Sequence, residues 1–291
     1  MKNFLNYKQN KDITMKFLNP LLILFRHGQT DYNVEKRFQG QINCPLNING
    51  LQQAQQTGEI VSSLLTDIFN SFPNSKVIEC ITSDLQRASE SAHVVQKVVA
   101  KNLNIELKFK AHSAFREFHA GKLQNYTVDE YIQKFPGELQ KYFADSKNDP
   151  WHSKYPGEHA ESWSMVSARI APFIRNLNTH FLELLAKDPL YDVMANDSVQ
   201  DIFIWSTHGG MIRNILSLMH IFDLNHSNLS LGNGDVLLLK PSHFCQNRNE
   251  QHKLIVEKAF DYDCNVAWDL LKHVPVGDAS TVLTDISKHL K

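Results

Sequence analysis

Nowhere in the chain do apolar residues run on for the roughly 18 positions that a bilayer-crossing helix needs, so no membrane span is expected. Cysteine is scarce. The four present, Cys44, Cys80, Cys245 and Cys264, form no CxxC pair, no metal-ligand spacing and no dense disulfide framework. That pattern suits a reducing compartment, and a cytoplasmic location is expected. An excess of positive charge is also missing: 30 basic side chains stand against 31 acidic ones, which argues against a nucleic-acid partner. There is no HExxH, no internal repeat and no long low-complexity segment, and no metal or cofactor is expected. What the chain does have is 42% hydrophobic residues and 10% aromatics, enough for a large core. Its 291 residues fit one α/β domain with extensions, since such folds often run to about 200–250 residues.

The most informative segment is Arg26-His27-Gly28-Gln29-Thr30, directly after the apolar run Leu21–Phe25. It reads as a buried strand delivering a histidine into a loop. Neutral imidazole is a nucleophile, a guanidinium neutralises phosphoryl oxygens, and glycine permits close backbone approach, so the trio suits attack on phosphorus. Three further segments extend this pattern. Arg87 follows the apolar segment Val77–Ile81 on the first turn of an expected helix, in Ser83-Asp84-Leu85-Gln86-Arg87-Ala88. Glu117 follows an expected strand, Ile105–Lys110. Ile202–Thr207 leads into His208-Gly209-Gly210, repeating the first pattern of strand, histidine and glycine. Four strand ends thus supply His, Arg, Glu and His, and ligand sites of open α/β sheets gather outside the carboxyl ends of strands. Alone, His27 or His208 would be an ordinary loop histidine, Arg87 a helix-surface arginine and Glu117 a solvated carboxylate. His119, His152 and His159 are assigned no role.

Between about residues 20 and 240 the chain resembles the histidine phosphatase superfamily, the phosphoglycerate mutase-like proteins. The resemblance rests on Arg26-His27-Gly28 with Thr30 and Asn33, the loop Arg37-Phe38-Gln39-Gly40, Pro45-Leu46-Asn47 with Gly50, Gln53-Ala54, the Ser83–Ala88 element, Pro156-Gly157-Glu158 and the final His208-Gly209-Gly210. It implies an α/β/α three-layer sandwich on a mostly parallel sheet, with no metal. It also implies His27 as nucleophile, Glu117 as general acid and base, and Arg26, Arg87 and His208 around the phosphoryl group. Thr30, Asn33, Gln39, Gly40 and Gly209 are the implied substrate-binding set. Because a loose phosphoryl-transfer transition state spreads charge over three oxygens, positioning and electrostatics dominate catalysis. The scheme needs His27 neutral and Glu117 protonated at the first step, with His208 as a charged donor.

Mutases of this family typically carry Glu-Arg-His-Tyr-Gly at the acid and a long enclosing insertion. Here Glu117 is followed by Phe118-His119-Ala120-Gly121, and only about 40 residues separate it from Glu158. Less complete exclusion of water favours hydrolysis. The segment looks more like the fructose-2,6-bisphosphatase and small metabolite phosphatase branches, so a phosphatase acting on a small phosphorylated metabolite is expected. Oligomers are compatible with this. The alternatives are a phosphoglycerate mutase, a phosphoprotein phosphatase, or a non-catalytic docking member of the fold.

In outline, residues 1–18 read as a flexible arm, 19–262 as the main domain and 263–291 as a helical extension. Lys16–Phe25 has the look of a short signal peptide, but cleavage there would remove the first strand, so that reading is rejected. Helices are expected over Gly50–Phe69, Leu85–Lys101, Thr127–Phe135 and Glu158–Ala186, the last with a core stripe from Trp163 to Leu184 and a kink at Pro172. Strands are expected over Asp235–Leu239 and Leu254–Ala259, and helices over Cys264–Val274 and Ser280–Leu290.

Overall fold

The computed structural model describes residues 20–187, 200–221, 230–242 and 267–276. The strands are β1 (Leu21–Arg26), β2 (Lys76–Ser83), β3 (Phe109–His112), β4 (Asp201–Thr207), β5 (Val236–Ser242) and β6 (Ala267–Val274). The helices are α1 (Asp31–Val34), α2 (Ile48–Ser71), α3 (Gln86–Leu103), α4 (Val128–Lys134), α5 (Glu138–Asn148), α6 (Trp163–Lys187) and α7 (Gly209–Leu218). The strands form one sheet in the order β3-β2-β4-β1-β5-β6. β1 to β4 pair in parallel, while β5 runs antiparallel to β1, and β6 to β5.

Five consecutive apolar side chains in β1, Leu21–Phe25, are fully removed from solvent, which requires cover on both faces of the sheet. Strand periodicity divides them. Leu22 and Leu24 join Trp205, Leu237 and Leu239 under Val166, Ile170 and Ile174 of α6 and Ile212 and Ile215 of α7. Leu21, Ile23 and Phe25 join Ile202, Ile204 and Leu238 under Val61, Leu65, Val95 and Val99 of α2 and α3. The result is the expected three-layer α/β/α sandwich. At about 1.5–3 kcal/mol for each large apolar side chain buried, β1 alone anchors the register of the central sheet. A third, smaller cluster, separate from these two, packs Val128 and Tyr131 of α4 and Leu139 of α5 together with Phe38 and Leu123. Thr127 and Glu130 close a reciprocal capping box at the start of α4.

The helix expected over Gly50–Phe69 is α2, begun by Asn47, whose side chain accepts from the Gly50 N–H at 2.9 Å. α6 starts at Trp163 rather than Glu158 and contains Pro172. The strand expected over Ile105–Lys110 is shifted to Phe109–His112, where it pairs with Cys80–Ser83. α5 was not expected: only Leu139 is buried along it, so it has no apolar stripe to read. The helical extension expected from residue 263 is corrected over residues 267–274. The spacing of Cys264–Val274 suggests a helix, but Ala267–Val274 is strand β6, which among the described residues lies at the edge of the sheet. The pairing Leu238 to Lys272 and Leu239 to Leu270 skips Leu271, a bulge that breaks the period-two pattern. The expectations for residues 1–18, Leu254–Ala259 and Ser280–Leu290 lie outside the described residues. Among the described residues, no helix is long and apolar enough to cross a membrane.

Candidate active site

His27 leaves the end of β1, and His208 the end of β4, between neighbouring parallel strands; Arg87 follows β2 on α3, and Glu117 follows β3. Adjacent parallel strands therefore bring the four together. The loop after β1 is held against α2 by a close approach of two glycines, since a methyl group on Gly28 would lie 2.2 Å from the Gly50 carbonyl oxygen. Gly28 N–H also donates to Ser91 Oγ at 3.0 Å.

His27 is buried, and its Nδ1 lies 2.7 Å from the Gly28 carbonyl oxygen. A carbonyl only accepts, so Nδ1 carries the hydrogen and Nε2 keeps the lone pair. Burial, and then Arg87 and Arg26, hold the ring well below the ordinary histidine value, so it is neutral. His208 packs behind it, with ring centroids 5.1 Å apart. Its Nε2 is 2.8 Å from Ser83 Oγ, and its Nδ1 is buried without a partner. Burial and Arg87 also push His208 well below its ordinary value. The expectation of a charged donor is thus corrected: the protein's own groups hold His208 neutral, and an arriving dianion would have to raise it. If the Ser83 hydroxyl donates to Nε2, Nδ1 carries the hydrogen and becomes the donor.

Arg26 donates from Nη1 to the Leu231 carbonyl at 2.6 Å, and burial, followed by Arg213 beside it, brings it down to about 10, still charged at neutral pH. Arg87 holds the 40–44 loop through the carbonyls of Gly40 at 2.8 Å and Ile42 at 2.9 Å. The Nε atoms of both arginines, like His208 Nδ1, are buried without a hydrogen-bond partner. Burying a donor unpaired costs about 1–3 kcal/mol, more for a charged group, and an oxyanion in the cavity that reached the two arginines would recover that cost.

Glu117 is held at the N-terminus of α7. Its Oε1 accepts from the N–H groups of Phe118 at 3.0 Å and Met211 at 3.1 Å, and its Oε2 from Gly210 N–H at 2.9 Å. Oε2 keeps a second lone pair for a proton. Glycine at 210 leaves room for this seat, because a methyl group there would fall 2.5 Å from Glu117 Oε1 and displace the carboxylate.

These groups open into a cavity of about 250 Å³. Arg26, His27, Asn33, Gln39, Gly40, Arg87, Glu117 and Gly209 line it; Thr30 and His208 do not. Thr30 is buried and works one step back: the single hydrogen of its Oγ1 can go to Asn33 Oδ1 at 3.0 Å or to Gln39 Oε1 at 3.1 Å. Glu158 is exposed and off the wall, whereas Glu161 lines the cavity with both oxygens engaged. Its Oε1 accepts from Arg169 Nε at 3.0 Å, and its Oε2 from His119 N–H at 2.9 Å and Gln41 Nε2 at 3.0 Å. Arg169 in turn donates to the carbonyls of Ala114, Arg116 and Glu117.

Three contributors escaped the sequence reading, Arg169, Arg213 and Asn233, while Ser83 enters it only as part of the Ser83–Ala88 element. Asn233 Nδ2 lies 3.2 Å from the His27 carbonyl oxygen and 3.2 Å from Asn33 Oδ1. The signal for it was the turn sequence Gly232-Asn233-Gly234-Asp235 just before β5.

The sequence model of the histidine phosphatase superfamily (branch 1) matches residues 22–247. The chain is 29% identical over 116 residues to the Uncharacterized phosphatase PhoE of Bacillus subtilis (strain 168), covering 40% of this chain and 51% of that protein. It is 31% identical over 147 residues to the Probable phosphoglycerate mutase GpmB of Salmonella choleraesuis (strain SC-B67), covering 50% and 58%. The matches thus span about half the length of these curated relatives. Among solved structures, a mycobacterial glucosyl-3-phosphoglycerate phosphatase shares the fold with a TM-score of 0.56 at 22% identity, covering 87% of this chain and 97% of that one. With the family's pattern matched across most of its length, from the first strand past the fifth, this chain belongs to branch 1 of the histidine phosphatase superfamily.

Proposed function

We propose that this chain is a metal-independent phosphatase that hydrolyses a phosphate monoester through a phosphohistidine on His27. The observation that carries the reading is the Nδ1 contact to the Gly28 carbonyl, which leaves the lone pair on Nε2 of a His27 ring that lines the cavity and that burial, Arg87 and Arg26 keep neutral. Nε2 attacks phosphorus, and the P–O bond to the leaving group breaks. Arg26 and Arg87 neutralise the phosphoryl oxygens, and His208 supplies a further donor. Glu117 Oε2 delivers the proton to the departing oxygen. Its carboxylate then takes a proton from water, whose oxygen attacks the phosphohistidine, releasing inorganic phosphate and restoring the lone pair on His27. With the guanidinium groups of Arg26 and Arg87 on the cavity wall, the work of a divalent cation falls in this reading to side chains.

Hydrolysis rather than transfer is favoured by Phe118, which lines the cavity directly after the acid. Relatives named as phosphatases and as mutases both match the chain, so the test separates the two activities. Purified protein given a single phosphate monoester should release inorganic phosphate without any added bisphosphate, and EDTA should leave the rate unchanged. His27→Ala should abolish release. A strict requirement for bisphosphate, with isomerised ester as product, would assign a mutase instead; strict dependence on added Mg²⁺ would contradict the charge arrangement.

A further inference from the structure

The short turn Leu231–Asp235, just before β5, frames the backbone of the nucleophile loop. Its Leu231 carbonyl accepts from Arg26 Nη1 at 2.6 Å, and its Asp235 carbonyl accepts from the Arg26 N–H at 3.0 Å. The Gly234 N–H donates to the His27 carbonyl at 3.1 Å. Asn233 Nδ2 lies 3.2 Å from that same oxygen and 3.3 Å from the Gly28 carbonyl oxygen. One turn thus sets both the arginine and the histidine of the proposed phosphoryl site.

What holds the turn is the carboxylate of Asp235, which is only 1% exposed and does not line the cavity. Its Oδ2 accepts from the Gly232 N–H at 2.7 Å, inside the turn, and from His273 Nε2 at 2.8 Å; its Oδ1 accepts from the Val276 N–H at 2.7 Å. His273 ends β6 and Val276 follows it, so both lie beyond residues 22–247, the stretch that the family's pattern covers. Register brings His273 there. It pairs with Leu237, two positions after Asp235, so the side chains of His273 and Asp235 share one face of the sheet. Burial works to raise the Asp235 carboxyl, but the bonds from His273, Val276 and Gly232 prevail and hold it below the ordinary aspartate value. A buried carboxylate that loses a donor is left with uncompensated charge, so it keeps its place among all three. The turn is therefore tied to β6 on one side and to α2 on the other, where Thr57 Oγ1 donates to the Gly234 carbonyl at 2.7 Å.

We propose that Asp235 and His273 are positioning residues of the phosphoryl site: the pair latches the 231–235 turn to the last strand, and the turn holds Arg26 and the His27 backbone in the geometry for attack. This rests on the phosphatase reading for its chemistry, and a binding measurement beside turnover keeps the two apart. His273→Phe keeps a ring and removes the donor, His273→Ala removes both, and His273→Gln supplies a donor again. Each variant is assayed at a temperature where its unfolding curve shows it fully folded. Both donor-less variants should lose about 10- to 100-fold in kcat/KM, the scale of a small misplacement. The loss should be equal on a sugar phosphate and on 4-nitrophenyl phosphate, since the attacking side is disturbed and the leaving oxygen is not. Inorganic phosphate, titrated by calorimetry, should bind them about 10-fold more weakly, the scale of one hydrogen bond. His273→Gln should recover part of both. Asn233→Ala acts at the other end of the same turn, so in the double variant with His273→Phe the two losses should combine to less than their product.

Wild-type turnover and phosphate binding in the folded donor-less variants, with only the unfolding midpoint lowered, would overturn the assignment and leave a structural pair. Losses that multiply in the double variant would overturn it as well. A loss confined to the sugar phosphate would overturn it in favour of an effect on Glu117. If the wild type binds phosphate but turns over neither ester, the phosphatase reading falls and the binding loss alone decides the latch. Neither binding nor turnover in the wild type would remove both.

Discussion

At His27 a single carbonyl decides which ring nitrogen is free: with Nδ1 donating to Gly28, the lone pair lies on Nε2. Glu117 is set by backbone in the same way, its carboxylate seated on the N–H groups of Gly210 and Met211 at the start of α7. Two substitutions separate its chemical role from a capping role. Glu117→Gln keeps shape and removes the proton, so it should cost about 10²- to 10⁴-fold in kcat/KM on a sugar phosphate and far less on 4-nitrophenyl phosphate, whose leaving group needs no proton. Equal losses on the two esters would assign Glu117 a positioning role only. Gly210→Ala leaves the carboxyl in place chemically but pushes it away, since the added methyl would meet Oε1 at 2.5 Å. It should reproduce the same selective loss in weaker form.

Among the elements, those with strong periodicity were the readable ones. β1, β4 and the long α6 declare themselves by unbroken or helical apolar patterns, and their places in the core follow from those patterns. α5 has no buried stripe, and β6 has its alternation interrupted by the bulge at Leu271, so neither could be recognised from spacing. The link between α6 and the acid loop was hidden for another reason: Arg169 acts on backbone carbonyls, which no sequence motif displays. Because it grips the carbonyls of Ala114, Arg116 and Glu117 and does not line the cavity, its place in the proposed mechanism is to position Glu117 rather than to touch substrate. Arg169→Met should therefore lower kcat on an alkyl phosphate by about 10- to 100-fold, the scale of a small misplacement, with a smaller effect on 4-nitrophenyl phosphate. A uniform fall on both substrates, tracking lost stability, would mean that the residue is merely structural. In the sheet itself, Leu24→Ala should destabilise the protein by about 2–5 kcal/mol, measured by denaturant unfolding, because the vacated space lies between two packed layers.

For the whole molecule, the two neutral imidazoles tie stability to pH. Histidines of the unfolded chain titrate near 6.5, while burial and Arg87 hold His27 and His208 well below that. As pH falls under 6.5 the unfolded state takes up protons that the native state refuses. The stabilisation present above 6.5 is therefore lost on acidification, by up to about 1.4 kcal/mol per pH unit for each histidine, until the folded-state values are reached. Unfolding free energies at pH 7.5 and 5.5 should show this decline, and His27→Asn should flatten it; an unchanged slope in the variant would contradict a neutral His27. Globally, the α/β/α layering and the convergence of four strand ends were readable, since both follow from the order of apolar runs and the residues after them. The cavity wall was not, because it is assembled from residues of α1, α3, α5, α6 and α7 and the loops between them, far apart in the chain. The most direct test of the account is rapid acid-free quenching of the wild-type protein mixed with a ³²P-labelled phosphate monoester, followed by peptide mapping. The account predicts a base-stable, acid-labile phosphate on His27, formed within one turnover and lost in His27→Ala. Label on a serine or cysteine, or turnover with no labelled protein under conditions where the intermediate accumulates in Glu117→Gln, would contradict it.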